Sequence, residues 1–581
     1  MSDRSPTSLW SLLVRYVRPQ WPKAALLAVL LLLGIGLELV NPQILRRFID
    51  ATRTSGTAQT LSTLAILFIG VALINQVFTV AVKYLSEDVG LTATNLLRAD
   101  LTLHCLQLDM TFHTRYTPGE LIERIDGDTS ALANFFSQFV IQLGGSVLLL
   151  IGLIVVVSRE LWQVGVLLGG FIVLTFLVVF FMQRVTQEAI VAERQATAEI
   201  YGFVEERLVG LRDIRSSGAQ GYVIRRFVQL ARTFYHSYIK GQFLFGLTLD
   251  MVSTLFFLVK IASLALGAYL LFRQQITIGT VVLLYSYSEM LERPMTQIME
   301  QVGDFQKASA SITRIQALYN LRSAIQEHAA DRLPDGALAV EFQQVTFNYH
   351  ADEPIIKNVS FELAPGTVLG ILGRTGSGKT TISRLLFRLY EPDSGRIRLG
   401  GKDLHSVALA DLRQRISLVT QDVQLFHATV RDNLTFFDHS FSDQQILQVF
   451  HELGLWDWYQ TLPQGLDTHL ASGNDLSAGE AQLLALTRAF LKNPGLVILD
   501  EASSRLDPVT EQRIERALRR LLEHRTAIII AHRLATIEQV DEIMILHDGM
   551  IQEYGRREHL QHDPGSRFSE ITRTSLEKTP V

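Results

Sequence analysis

At 581 residues the chain is too long for one core, so roughly two to four domains are expected. Its 53 basic and 58 acidic residues leave a net charge of -5, which excludes a nucleic-acid binder working through bulk positive charge. The hydrophobic fraction is 48%, the apolar surplus sits in the first half, and the single Cys105 excludes an intrachain disulfide framework and a multi-cysteine metal site.

Residues 1–23 place Leu9, Leu12, Leu13, Tyr16 and Val17 at helical spacing, with Trp10 and Trp21 suited to a membrane interface. An interfacial helix is expected there rather than a cleavable signal. Six apolar segments follow, at about 24–43, 60–82, 138–157, 161–183, 243–272 and 276–300, each near the 20 residues that a spanning helix requires. The first and second, third and fourth, and fifth and sixth are joined by short connections. The two other connections are long, charged and helix-patterned, and carry Lys83, Arg98, Arg115, Arg124, Arg184, Arg194, Arg207, Arg212 and Arg215. The positive-inside rule puts that side in the cytosol, with Arg46, Arg47 and Arg53 near the first outer loop as a minor violation. Five charged residues fall inside the spans: Glu38, Asp250, Lys260, Glu289 and Glu292. Four acids against one base predict a mildly acidic cavity and a cationic or amphipathic cargo.

The transmembrane domain is expected over 24–318 and a linker, with the turn Leu333-Pro334-Asp335-Gly336, over 319–337. From 338 to 575 short apolar strands alternate with helices, which predicts an α/β domain. Within it, Gly373-Arg374-Thr375-Gly376-Ser377-Gly378-Lys379-Thr380-Thr381 follows an apolar strand-like run and opens a helical stretch. This is the context of a phosphate-binding loop, in which glycines let backbone N–H groups close on phosphate oxygens. Lys379 would neutralise the β- and γ-phosphates, and Thr380 would offer its hydroxyl to Mg²⁺. Leu496-Val497-Ile498-Leu499 ends in Asp500 and Glu501, placing one carboxylate for Mg²⁺ and the next for an attacking water. Ile528-Ile529-Ile530-Ala531 ends in His532, where a γ-phosphate contact would be built.

With these residues in this order, joined by Tyr349, Gln421 in Val419-Thr420-Gln421-Asp422, and Leu476-Ser477-Ala478-Gly479-Glu480, the chain resembles ATP-binding cassette exporters of the fused half-transporter type. The resemblance implies a six-helix membrane bundle followed by a P-loop ATPase domain with a helical subdomain. It implies a dimer, homomeric or with a sister chain, that clamps two ATP molecules with Mg²⁺. Tyr349 would stack on adenine and Gln421 would touch Mg²⁺. Ser477 and Gly479 would reach the γ-phosphate held by the partner's P-loop, with Glu501 as base and His532 on the γ-phosphate. Residues 112–130 resemble a first coupling segment and 208–227 a second. The implied function is ATP-driven export or flipping of an amphipathic peptide, lipid or drug across a bacterial plasma membrane. A gated channel or regulatory subunit is the alternative.

The signature departs from the usual Leu-Ser-Gly-Gly-Gln at Ala478 and Glu480, and 470–475 lacks the usual glutamate. Glu480 is expected to add negative charge near phosphate. By the resemblance, an altered signature beside an intact Glu501 implies one chain of a heterodimer, while a tolerated variant fits the same residues.

Overall fold

A computed structural model describes residues 14–53, 56–325, 331–349, 354–470, 476–500, 508–531 and 537–576. The chain divides into two compact units: residues 1–106 with 118–321, and residues 107–117 with 322–581.

The first unit is helical. Its long elements are α1 (Trp21–Arg53) and α2 (Ala58–Gln107), and the short helix α3 (Met110–Arg115) then belongs to the second unit. The chain returns to the first unit with α4 (Gly145–Glu160), α5 (Trp162–Val209), α6 (Gln220–Phe272), α7 (Ile278–Glu289) and α8 (Glu292–Tyr319). Five helices among the described residues are long and apolar enough to cross a membrane. The sixth predicted segment is a helix pair, α7 and α8, broken at Met290-Leu291. Pro294 explains the break: it has no N–H to give to the Met290 carbonyl and its ring crowds that turn. Pro42 sits inside α1 and denies the Glu38 carbonyl its usual donor in the same way. A π-helical turn, Phe139–Gly144, precedes α4.

The helices pack through a core that includes Leu153, Leu168, Phe171, Phe256, Leu283, Tyr287 and Met295. Phe171 and Phe256 meet at 5.5 Å between ring centroids, a tilted aromatic pair of the kind that adds to area burial. Where the sequence predicts an interfacial helix, the described part runs straight on into α1. Tyr16 is buried and donates to Asp100 at 2.9 Å, so this turn is held by a polar contact within the unit. Arg46, one of the residues that broke the positive-inside pattern, is ion-paired to Glu160 at 2.7 Å. Asp50, one turn on, caps α7 by accepting from Gly279 N–H at 2.9 Å and Thr277 Oγ1 at 2.8 Å.

The second unit holds two sheets. Strands β1 (Val340–Asn348), β2 (Pro354–Leu363), β4 (Ser394–Leu399) and β5 (Lys402–Asp403) form an antiparallel sheet in the order β2-β1-β4-β5. The central sheet runs β10-β9-β3-β8-β7-β6, from β3 (Val368–Gly373), β6 (Ile416–Val419), β7 (Leu496–Asp500), β8 (Thr526–Ile530), β9 (Glu542–His547) and β10 (Met550–Arg556). Strands β3, β6, β7, β8 and β9 pair in parallel. Every residue of β8 is buried, as are Leu496 to Leu499 of β7, because a parallel sheet is covered on both faces. That double burial is why these strands read in sequence as unbroken apolar runs.

Candidate functional site

The site begins at the carboxyl edge of the central sheet, where ligands of open α/β sheets collect. Register sets what lies there: Ile371 of β3 and Asp500 of β7 both pair with Ile530 of β8, and Val419 of β6 pairs with Leu499. The loop after β3, the carboxylate ending β7 and the turn after β6 therefore share one edge.

The loop needs its glycines at two points. A Cβ on Gly373 (φ +152°) would lie 2.4 Å from the Leu546 carbonyl oxygen, and one on Gly378 (φ +104°) 2.7 Å from Ile356 Cδ1. The helix α9 (Lys379–Leu386) starts directly behind, so its N-terminal N–H groups open toward the loop. Lys379 is buried and its Nζ donates to the carbonyls of Gly373 at 2.8 Å and Arg374 at 2.9 Å, folding the charge over the loop. Ser377 Oγ is buried with no hydrogen-bond partner among the described residues. A buried hydroxyl without a partner is costly, and a phosphate oxygen is the acceptor this cradle fits. Thr380 Oγ1 lies 3.3 Å from Asp500 Oδ2, so hydroxyl and carboxylate converge on one point, a donor pair suited to Mg²⁺. Arg374, Thr375 and Gly376 stand exposed at the loop tip.

Tyr349 ends the strand sequence of β1 half-buried, its ring edge-on to Phe347 (4.9 Å) and Tyr390 (5.2 Å). Its hydroxyl meets Thr381 Oγ1 at 3.2 Å and accepts from Arg384 Nη1 at 3.0 Å. Gln421 is exposed in the turn after β6 and makes no hydrogen bond to the loop among the described residues. Glu501 and His532, with Ser504 to Asp507, lie outside the described residues.

Ser477 caps α11 (Ala478–Leu491), and α10 (Trp456–Gln460) lies close by. Glu480 completes a capping box: its Oε2 accepts from Ser477 N–H and Ser477 Oγ, each at 2.7 Å, and its N–H returns to Ser477 Oγ at 3.3 Å. Its other oxygen accepts from Trp458 Nε1 at 3.1 Å. The expected free negative charge is thus tied up by three donors. Gly479 is buried and Ala478 exposed, so the extra methyl points away from the packed side of the helix. At the other end of α11, Arg488 donates to the carbonyls of Asn433 at 2.6 Å and Gln424 at 3.1 Å. Burial pushes its guanidinium down to about 10. Arg488 thereby joins the signature helix to the segment that follows Gln421.

The same unit receives α3. Asp109 caps it by accepting from Phe112 N–H at 3.2 Å, and its other oxygen accepts from Ala324 N–H at 2.6 Å. Thr114 lies beside the Tyr390 phenol, which burial raises above its ordinary value. Trp458, Arg488, Arg384 and Tyr390 escape sequence reading. Only Tyr390 carries a signal, being an aromatic residue directly behind the P-loop helix.

Comparison with known proteins agrees with this arrangement. Residues 25–295 match the family described as ABC transporter transmembrane region, and residues 356–504 match the ABC transporter family. The chain is 31% identical over 465 residues to the fatty acid ABC transporter ATP-binding/permease protein of Mycobacterium bovis, covering 80% of this chain and 74% of that protein. It is 31% identical to the ATP-dependent lipid A-core flippase of Photobacterium profundum, covering 80% of each. A Lactococcus lactis multidrug resistance ABC transporter ATP-binding and permease protein is 26% identical across 96% of this chain and 94% of its own. The fold superimposes on a bacterial Atm1-family ABC exporter solved with ATP bound, at a TM-score of 0.80 and 25% identity over 96% of this chain and 99% of that one. The chain therefore belongs to the ABC transporter family, as an exporter-type half-transporter with its membrane region and ATP-binding region fused.

Proposed function

We propose that the protein is an ATP-driven exporter or flippase for amphipathic molecules, working as a dimer in a bacterial plasma membrane with residues 338–575 in the cytosol. The observation that carries this reading is the edge where the Ser377 hydroxyl, without a partner among the described residues, Lys379 and the Thr380–Asp500 pair converge. On ATP binding, Lys379 exchanges its two loop carbonyls for phosphate oxygens, and Ser377 gains its acceptor. Thr380 and Asp500, with Gln421 swinging in, are the residues that would hold Mg²⁺, which would neutralise charge on the β- and γ-phosphates. Tyr349 stacks on adenine, Glu501 orients the attacking water and His532 holds the γ-phosphate. Ser477 and Gly479 serve the ATP of the other subunit. Closure of two such units then passes through α3 by way of Thr114 and Tyr390.

Relatives named for fatty acids, drugs and lipid A-core support an amphipathic cargo. They are transporters, which leaves the channel reading without support. Within the membrane unit the acidic excess is smaller than the sequence suggests. Lys260 pairs with Glu292 at 3.0 Å, and Glu38 shares a cavity with Arg293. A strongly cationic cargo is therefore not favoured.

The test is ATP hydrolysis by the chain alone in lipid nanodiscs, with particle mass recorded, beside Glu501→Gln and Lys379→Ala. A dimer whose hydrolysis disappears in both variants is expected. A monomer, or a dimer with background hydrolysis alone, would replace the homodimer with a heterodimer containing a sister chain.

A further inference from the structure

Some charges of the membrane unit are matched within it. Lys260 pairs with Glu292 at 3.0 Å, and Arg46 with Glu160 at 2.7 Å. Glu38 of α1 and Arg293 of α8 are different. Both line one cavity of about 380 Å³, yet neither forms an ion pair or a side-chain hydrogen bond, with the other or elsewhere, among the described residues. Glu292, next to Arg293 in the chain, is already held by Lys260 and leaves the guanidinium unmatched. An ionic group inside a membrane bundle is costly, and one without a partner on a cavity wall marks where a ligand supplies the counter-charge.

The neutral groups of the lining extend both charges. Gln297 stands one turn after Arg293 on α8, and its Oε1 accepts from Ser146 Oγ at 2.9 Å. Gln142, from the π-helical turn, accepts through Oε1 from Gln301 Nε2 at 2.8 Å. With both carbonyls used, both amide NH₂ groups remain as donors without a hydrogen bond among the described residues. A guanidinium with two amide donors suits a carboxylate, which only accepts. On the other helices, Asn75 Oδ1 lies 3.6 Å from the place of a Cβ on Gly34, one turn before Glu38 on the same face of α1. A carboxylate and an amide oxygen suit an ammonium, which only donates. A lone cation would leave Arg293 unmatched, and a lone anion would leave Glu38 so. Ile35, Phe78 and Leu149 give the same cavity apolar wall.

We propose that this cavity binds a zwitterion of short-peptide type, its free ammonium on Glu38, its free carboxylate on Arg293 and apolar side chains between them. This rests on the transporter reading and names the cargo class for it.

The test is equilibrium binding of radiolabelled Leu-Leu dipeptide to the full chain in nanodiscs without nucleotide. N-acetyl-Leu-Leu, which lacks the ammonium, and Leu-Leu amide, which lacks the carboxylate, serve as competitors. Saturable binding of Leu-Leu is expected, with each competitor weaker by roughly tenfold, the effect of one lost charge-assisted contact. Glu38→Gln should erase the preference over N-acetyl-Leu-Leu and keep the preference over Leu-Leu amide. Arg293→Gln should do the reverse. A misfolded protein cannot produce two opposite changes in selectivity. Absence of saturable binding, equal binding of the three peptides, or a substitution that weakens all three by one factor would each overturn the proposal. ATP hydrolysis is measured on the same nanodiscs. Flat binding with intact hydrolysis would strike the site alone, and selective binding without hydrolysis would strike the transporter reading alone.

Discussion

Glu480 does what the usual glutamine cannot do beside Trp458. A carboxylate offers acceptors only, and here it meets Ser477 N–H, Ser477 O–H and Trp458 Nε1–H. A carboxamide would turn one of its own N–H groups toward a donor. Glu480→Gln should therefore cost about 1 kcal/mol, a fall of roughly 2–4 °C in the unfolding midpoint by scanning fluorimetry. Trp458→Phe should cost a similar amount, and the double variant less than the sum, since both delete one bond. Turnover should move the other way. If Ser477 serves the partner's phosphate as proposed, the weaker, uncharged acceptor of Glu480→Gln would release its hydroxyl more readily and ATP hydrolysis should rise severalfold; a fall would show that the carboxylate assists. Ser377 gives a second separation of stability from binding. Its hydroxyl has no partner within the described chain, so Ser377→Ala should raise the nucleotide-free unfolding midpoint by roughly 2–4 °C yet weaken ATP, read by fluorescent-nucleotide titration, roughly tenfold.

At the scale of elements, α3 is the instructive one. It is six residues long, follows α2 in the chain, and groups with the ATP-binding unit, where Asp109 accepts from Ala324 N–H and Thr114 lies beside Tyr390. Tyr390→Phe removes the hydroxyl beside Thr114 while keeping the ring that packs against Tyr349. It should reduce the increment of ATP hydrolysis that cargo elicits by half or more, with cargo-free hydrolysis as the internal reference. Because burial raises the Tyr390 phenol, the folded chain keeps its proton beyond the ordinary value of about 10. The stability of the buried neutral phenol is thus fully present at lower pH, and any loss appears only as pH rises above 10, where the unfolded chain gives up its proton first. The difference between Tyr390→Phe and the natural chain should accordingly stay constant from about pH 6 to 9.

These elements also mark where the sequence stopped being readable. The P-loop, β7 and β8 were legible because double-sided burial and phosphate geometry leave unbroken apolar runs and fixed glycines. Asp500 could be assigned from its position after one such run. The Trp458–Glu480 bond could not, since 22 residues separate partners whose approach depends on how α10 packs on α11. The break at Met290-Leu291 was implicit in Pro294, but the long apolar window hid it. Arg293 escaped for the same reason, and its absence from the tally of intramembrane charges made the cavity look more acidic than its lining is.

For the whole molecule, fusion of one membrane region to one ATP-binding region means that a single chain holds half of what the proposed cycle needs. Glu501→Gln with ATP should accumulate as a dimer-sized particle by mass photometry, and removal of Mg²⁺ should return it toward the nucleotide-free state. Among the membrane helices, those that carry or adjoin proline, α1 and α8, contribute Glu38 and Arg293 to the cavity. The helices α5 and α6 contain no proline and run 48 and 53 residues, the longer close to 80 Å and more than twice the thickness of a bilayer core. Stiff rods of that length have mechanical advantage: a tilt of about three degrees at one end moves the other by roughly 4 Å. In the proposed cycle small closures would thereby be enlarged to the dimensions of an acyl chain, while the prolines of α1 and α8 supply local softness to a cavity whose other wall is the proline-free α2.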